Sequence, residues 1–191
     1  MNNPHHFSRF AQPVLRNFRG SLIAEFGPAL FLLIFCFVIP LLDLGMLPIR
    51  YGLTYAAATN AVSKLALANK ASDANRMLQT DTWWTSFLGK CGIDVEQKQL
   101  AMVVINKKGS GQVFATDQPG SIPSALLPDG PDGPGAYILR LSIKADISPL
   151  LVMSGRGIPG LTSPVPITLQ TSSVWENLGR DPDTTEYYLN E

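Results

Sequence analysis

The run FGPALFLLIFCFVIPLL, residues 26–42, decides the fold of this chain because it contains no charged residue. A helix needs about 20 apolar residues to cross a hydrocarbon core of about 30 Å. The run reaches that length when LGMLPI, residues 44–49, is added and Asp43 lies near the far interface. In lipid a helix satisfies its own backbone hydrogen bonds, so the sequence predicts a transmembrane helix within residues 21–49.

A buried core helix and a cleaved signal peptide are the alternatives to a membrane span. The rest of the 191-residue chain is short for covering a helix that is apolar on every side. The alanines at residues 56–58 offer a cleavage site, but the run is longer than the 7–15 residues usual for a signal peptide. We therefore favour the membrane span.

Three prolines interrupt the apolar segment. Pro28 is expected in the first turn of the helix, where its missing N–H costs little. Pro40 is expected to kink the helix, and Pro48 to kink or break it near the exit.

The residues that flank the run indicate its direction. Arg9, Arg16 and Arg19 precede it, with no acidic residue before Glu25. Basic residues collect on the cytoplasmic side of a membrane helix. Residues 1–20 are therefore predicted to be a cytoplasmic leader, and the C-terminal part to lie outside the cytoplasmic membrane.

The segment RGSLIAEF, residues 19–26, combines a basic leader, a glycine, four residues, a glutamate and an aromatic residue directly before the apolar run. It resembles the processing site of type IV prepilins, where a membrane peptidase cuts after the glycine. The resemblance implies a cut between Gly20 and Ser21, with Glu25 and Phe26 as the fifth and sixth residues of the mature chain.

A longer stretch, residues 19–72, resembles the TadE-like minor pilins (pseudopilins) of tight-adherence, type IVb, pilus systems. The run ends in Leu42-Asp43-Leu44-Gly45, which is similar to the Ile/Leu-Asp-Phe-Gly-like sequence that ends the apolar run in this family. An Ala-rich helix follows in both. The resemblance implies a bacterial inner-membrane protein that assists pilus assembly or secretion. Its partners would be the lipid bilayer, the prepilin peptidase, other pilin subunits and a membrane assembly platform.

The charged residues at the two ends of the run have physical roles of their own. A carboxylate at the edge of hydrocarbon usually has a partner, and the amine of a cleaved Ser21, in the same or a neighbouring subunit, would suit Glu25. Glu25 and Phe26 are therefore the predicted subunit-assembly residues; the alternative is a Glu25 that only reaches the headgroups. Asp43 lies about 27 Å further along a helix, so Asp43 and Arg50 are predicted to mark the other interface, where they can pair.

Beyond the membrane the sequence predicts an α+β arrangement. An Ala-rich helix is expected over residues 50–80, with a small strand-rich domain over residues 81–191. The apolar run at residues 100–106 predicts a buried strand that returns at residues 112–115 after a turn, and alternation predicts strands near residues 137–145 and 165–170. Gly/Pro-rich loops are expected to join them into one antiparallel sheet of three or four strands. The cluster of Trp83, Trp84, Phe87 and Leu88 is expected to form a short helix that plugs the core, or else an aromatic patch near the membrane surface. The tail from Trp175 is expected to be a surface peptide.

Several chemistries are poorly supported by this sequence. Both histidines, His5 and His6, lie in the leader, which leaves Cys91 as the one cysteine or histidine outside the leader and the apolar run. Zinc sites and nucleophilic triads need more of these residues. Asp129 and Asp132 lack the oxygen-ligand spacing of a calcium loop. Zero formal net charge gives no indication of a nucleic-acid partner. From these residues we also expect no enzyme activity, cofactor, metal or small-molecule substrate.

Overall fold

The computed structural model describes residues 19–133, 135–150 and 160–191, with side chains from residue 25 onward. The chain divides into two units, Met1–Pro40 and Leu41–Glu191. Because the described residues begin at residue 19, residues 1–18 of the predicted leader lie outside them.

Helix α1 (Arg19–Leu33) continues into a π-helical segment (Ile34–Val38) and then into helix α2 (Ile39–Leu65). Pro28 lies inside α1, not in its first turn as predicted, because the helix begins at Arg19. The π-helical segment ends two residues before Pro40, which cannot donate a backbone hydrogen bond; a wider turn accommodates such a residue. Helix α2 runs through Pro48 without a break.

The predicted helix over residues 50–80 is two helices. Helix α2 ends at Leu65, and helix α3 (Ala71–Thr80) begins after a turn. Tertiary contacts hold that turn: Asn177 donates its side-chain amide to the carbonyl of Asn69, and the Ser72 N–H donates to the carbonyl of Glu191. The alanine content predicted one longer helix. The contacts that fix the turn could not be foreseen, because the partners lie more than 100 residues away in the sequence.

The sheet has four antiparallel strands in the order β2-β1-β3-β4. Their bounds are Ile93–Ile105 for β1, Gly111–Ala115 for β2, Ala136–Ile147 for β3 and Val165–Val174 for β4. The predicted α+β class and antiparallel sheet are confirmed. Strand β1 begins well before residue 100, because β3 pairs with its polar half across a bulge between Val95 and Gln97.

One face of the sheet, the inner face, forms the core with the helices. Alternate residues of β3 are fully buried, including Leu139, Leu141 and Ile143. The small side chains of Ala57 and Ala61 on α2 belong to the same core. Each large apolar side chain buried in this way contributes about 1.5–3 kcal/mol relative to exposure. The small side chains on this part of α2 therefore share one core with the chain's own sheet.

Helix α4 (Trp83–Lys90) carries the tryptophan cluster on two faces. Trp84 and Leu88 are buried in the core, whereas Trp83 and Phe87 are exposed. The ammonium of Lys64 lies 5.9 Å from the centre of the Trp83 ring. The core-plug prediction is thus correct for half of the cluster.

The C-terminal tail is not a surface peptide. Trp175, Tyr187 and Leu189 are buried in the core. The backbone N–H of Trp175 donates to the carbonyl of Tyr137, and its indole N–H donates to the carbonyl of Asn177. The prediction was wrong because it rested on the tail's mostly polar composition. Three widely spaced apolar residues are enough to anchor the tail in the core.

Candidate functional site on helix α2

The predicted processing and assembly residues lie on helix α1. Gly20 and Ser21 are in its first turn, and their side chains lie outside the described part of the chain. Glu25 and Phe26 follow one turn later and both are exposed, Phe26 by 66%. The structure therefore presents these two side chains on a helix surface.

The apolar run is exposed along almost its whole length. Among the described residues, one helix, Glu25–Leu65, is long and apolar enough to cross a membrane, and only 6% of its most apolar window is buried. A core helix of the same composition would be covered by its own chain. The apolar part of this helix is therefore long enough to cross a membrane and is not covered by the rest of the described chain.

Asp43, one of the two predicted interface residues, is only 3% exposed. Its Oδ1 atom accepts a hydrogen bond of 2.8 Å from the backbone N–H of Leu150, three residues after the end of β3. A buried carboxylate is costly unless it is hydrogen-bonded. Asp43 therefore joins helix α2 to the chain that leaves the sheet.

Arg50 makes a second connection to the same segment. It is 8% exposed, and its Nη1 atom donates to the carbonyl of Ser148. The Ser148 N–H in turn donates to the carbonyl of Gly92 over 2.9 Å. Within the described residues Arg50 makes no ion pair with Asp43, so each charge bonds to backbone instead of to the other.

Two glycines accommodate the contacts around this junction. A Cβ atom on Gly92 would lie 3.2 Å from Nη2 of Arg50, and one on Gly160 would lie 3.4 Å from Cδ1 of Leu47. Both glycines have positive φ, which favours glycine. Leu150 and Gly160, on either side of residues 151–159, thus both lie beside the stretch of α2 from Asp43 to Arg50.

Sequence reasoning missed a second set of charged residues, centred on Lys70. The Nζ atom of Lys70 lies 2.5 Å from Oδ2 of Asp181 and 2.8 Å from Oε2 of Glu191. The hydrogen bonds to Asp181 and then to Glu191 raise the pKa of Lys70, and the Lys70 ammonium lowers the pKa of Asp181. These bonds hold the C-terminal tail against the turn between α2 and α3.

Arg180 holds the tail to the Gly/Pro-rich loop between β2 and β3. Its Nη2 atom lies 2.6 Å from Oδ2 of Asp129, and its guanidinium lies 4.4 Å from the centre of the Tyr187 ring. Hydrogen bonds from Tyr187 and Arg180 lower the pKa of Asp129. Asp132 lies 3.8 Å from Lys108, so both loop aspartates face cations.

The described residues contain no group of three or more His, Cys, Asp or Glu side chains arranged to hold a metal ion. The arrangement on α2 is mechanical: two buried charges bind a helix to a sheet through backbone groups. No family model, curated protein or solved structure matches this chain.

Proposed function

We propose that this chain is a membrane-anchored minor pilin or pseudopilin of TadE-like type that assists assembly of a tight-adherence pilus or a related secretion apparatus. The observation that carries the proposal is the Gly20-Ser21 and Glu25-Phe26 pattern at the start of an exposed apolar helix. In this proposal a prepilin peptidase cuts between Gly20 and Ser21. The C-terminal domain lies outside the bacterial inner membrane.

Subunits associate through their membrane helices. Exposed carboxylates near the membrane edge favour a cationic partner, and the new amine of Ser21 in a neighbouring subunit is a cation of the right kind for Glu25. Such a pair sets the axial register of two helices. Phe26 and the apolar surface behind it then pack against sister helices in lipid.

The Asp43 and Arg50 contacts support this mechanism. Assembly moves a membrane helix, and the domain must follow the helix without being pulled away from it. Two buried charged side chains bonded to the segment after β3 make α2 and the sheet resist separation. The membrane-interface role predicted for these two residues remains part of the proposal.

The first experiment is to determine the mature N-terminus by intact mass and terminal peptide mapping of protein from native membranes. The proposal expects a chain that starts at Ser21. Gly20→Ala should leave the leader attached, whereas the matched change Gly27→Ala, on the other side of the cut, should not. A chain that starts at Met1 would indicate an unprocessed single-pass anchor for a binding or scaffold protein.

Assembly is tested separately from processing. Glu25→Ala should abolish co-purification of the processed chain with other pilin subunits, while Asp43→Asn, which keeps an oxygen acceptor, should leave it in place. Function that survives Glu25→Ala contradicts the assembly role and favours the plain anchor.

A further inference from the structure

The outer face of the sheet, which points away from the helices, changes character along the strands. Where one face of an antiparallel sheet meets water, polar side chains are expected on it. At one end the outer face follows this rule, with Gln97, Lys144 and Thr168 side by side across three strands. This polar end serves as an internal reference for the other end.

At the other end the outer face is apolar across all four strands. Val113, Val103, Ile138 and Val174 are direct register partners in that order and form what we call the apolar row. Val113 and Val174, on the two edge strands, are each 59% exposed, whereas Val103 between them is only 5% exposed. Ile105 and Ala136 lie opposite each other in the next row on the same face. Four strands at their usual spacing make this patch roughly 14 Å wide, and its exposed apolar surface lies at Val113 and Val174 on the two edges. Exposed apolar surface on a monomer often marks an interaction site.

Arg140 borders the apolar row. It lies opposite Ala101 on one side and Ser172 on the other, so no acid faces it across the sheet. Within the described residues the side chain of Arg140 makes no ion pair or hydrogen bond. A groove of about 550 Å³ passes over it, lined by Lys98, Gln99, Ser142, Gln170 and a single acid, Asp117.

We infer that the apolar row and Arg140 form a docking surface for an acidic amphipathic helix of a partner protein. A helix is about 10–12 Å across and so matches the width of the patch. Its apolar face packs on the row, as the chain's own helices pack on the inner face of the sheet. A carboxylate on its flank meets Arg140, whose charge has no partner in the described chain. This inference does not require the pilin assignment and holds equally for an unprocessed anchor.

The binding test uses the full chain in detergent micelles and two synthetic helical peptides with the same apolar face. One peptide carries glutamates beside that face and the other carries lysines. The acidic peptide should bind at least about tenfold more tightly, which corresponds to one close charge pair. Arg140→Glu should reverse the preference. Val113→Lys should abolish binding of both, while Thr168→Lys, on the polar end of the same face, should not.

A second measurement identifies the occupant in cells that make the protein. A photo-crosslinking residue at position 174 should capture a different protein through an acidic helical segment, and Arg140→Glu should abolish the adduct. The same residue at position 168 should capture much less. Equal binding of the two peptides, no binding, or equal effects of Val113→Lys and Thr168→Lys would overturn the inference. Adducts to lipid or to a second copy of this chain would also overturn it.

Discussion

The guanidinium of Arg50 occupies the space beside Gly92 that any larger residue would need, at 3.2 Å from the position of a Cβ atom. Gly92 has a φ of 75° and follows helix α4 directly before strand β1. Its carbonyl accepts the hydrogen bond from Ser148, whose own carbonyl accepts from Arg50. The small size of Gly92 therefore allows helix α2, the start of strand β1 and the end of strand β3 to come together.

Gly92→Ala should lower the free energy of unfolding by about 1–2 kcal/mol because alanine is strained in a left-handed backbone conformation. The total loss should be larger, because Arg50 must also move away from the new Cβ atom. Gly109→Ala is the matched control, since Gly109 has a φ of 79° and nothing within 4 Å of its Cβ position. Chemical denaturation of both variants measures the difference. Equal losses would show that Arg50 does not contact Gly92 in solution.

Asp43→Ala should release the segment after β3 from helix α2. It removes the acceptor of the Leu150 N–H, and a lost partner of this kind costs about 1–3 kcal/mol. Hydrogen exchange at the Leu150 amide should become faster in Asp43→Ala and stay slow in Asp43→Asn. Unchanged exchange in Asp43→Ala would contradict the contact.

The contacts of Lys70 predict a stability that falls at both ends of the pH range. The pKa of Asp181 is lowered from 3.8, so its contribution is present above that pH and is lost as the pH falls through the lower folded pKa. The pKa of Lys70 is raised from 10.5, so its contribution is present below that pH and is lost as the pH rises through the higher folded pKa.

Lys70→Met should therefore reduce the decline of Tm both below pH 3.8 and above pH 10.5, as followed by thermal melts across the pH range. Lys144→Met is the control, because Lys144 is exposed on the outer face of β3. If Lys144→Met altered the profile as strongly as Lys70→Met, a general effect of net charge would explain the result instead.

The adjacent tryptophans of helix α4 should differ sharply in their contribution to stability. Trp84 is 2% exposed and Trp83 is 47% exposed. Trp84→Ala should lower the free energy of unfolding by about 3–5 kcal/mol, as expected for a large buried aromatic side chain. Trp83→Ala should cost far less. Similar losses for the two variants would contradict the orientation of α4.

Local patterns predicted the elements that depend on nearby residues. Alternation in β3 placed the strand within two residues of its observed bounds, Ala136–Ile147, because every second side chain must enter the core. The polar half of β1 escaped prediction because its sequence, DVEQKQ at residues 94–99, does not alternate. Only its pairing with β3 makes it a strand.

The candidate sites show the same division. The charges at positions 25, 43 and 50 stand out in the sequence because they flank an apolar run. Nothing local indicated that Asp43 and Arg50 are buried, since their hydrogen-bond partners lie about 100 residues further along the chain. Arg140 likewise appeared to be one polar position of an alternating strand. Its cross-strand neighbours, Ala101 and Ser172, are set by the register of β1 and β4 against β3, which the sequence alone does not reveal.

By itself the sequence determined one long apolar helix near the N-terminus and the alternating strands, because hydrophobic content and periodicity are properties of neighbouring residues. The tertiary structure alone decided where helix α2 ends, which charges are buried and how the tail from Trp175 is held. Those outcomes depend on hydrogen bonds and packing between residues far apart in the chain, and such pairs leave no local pattern to read.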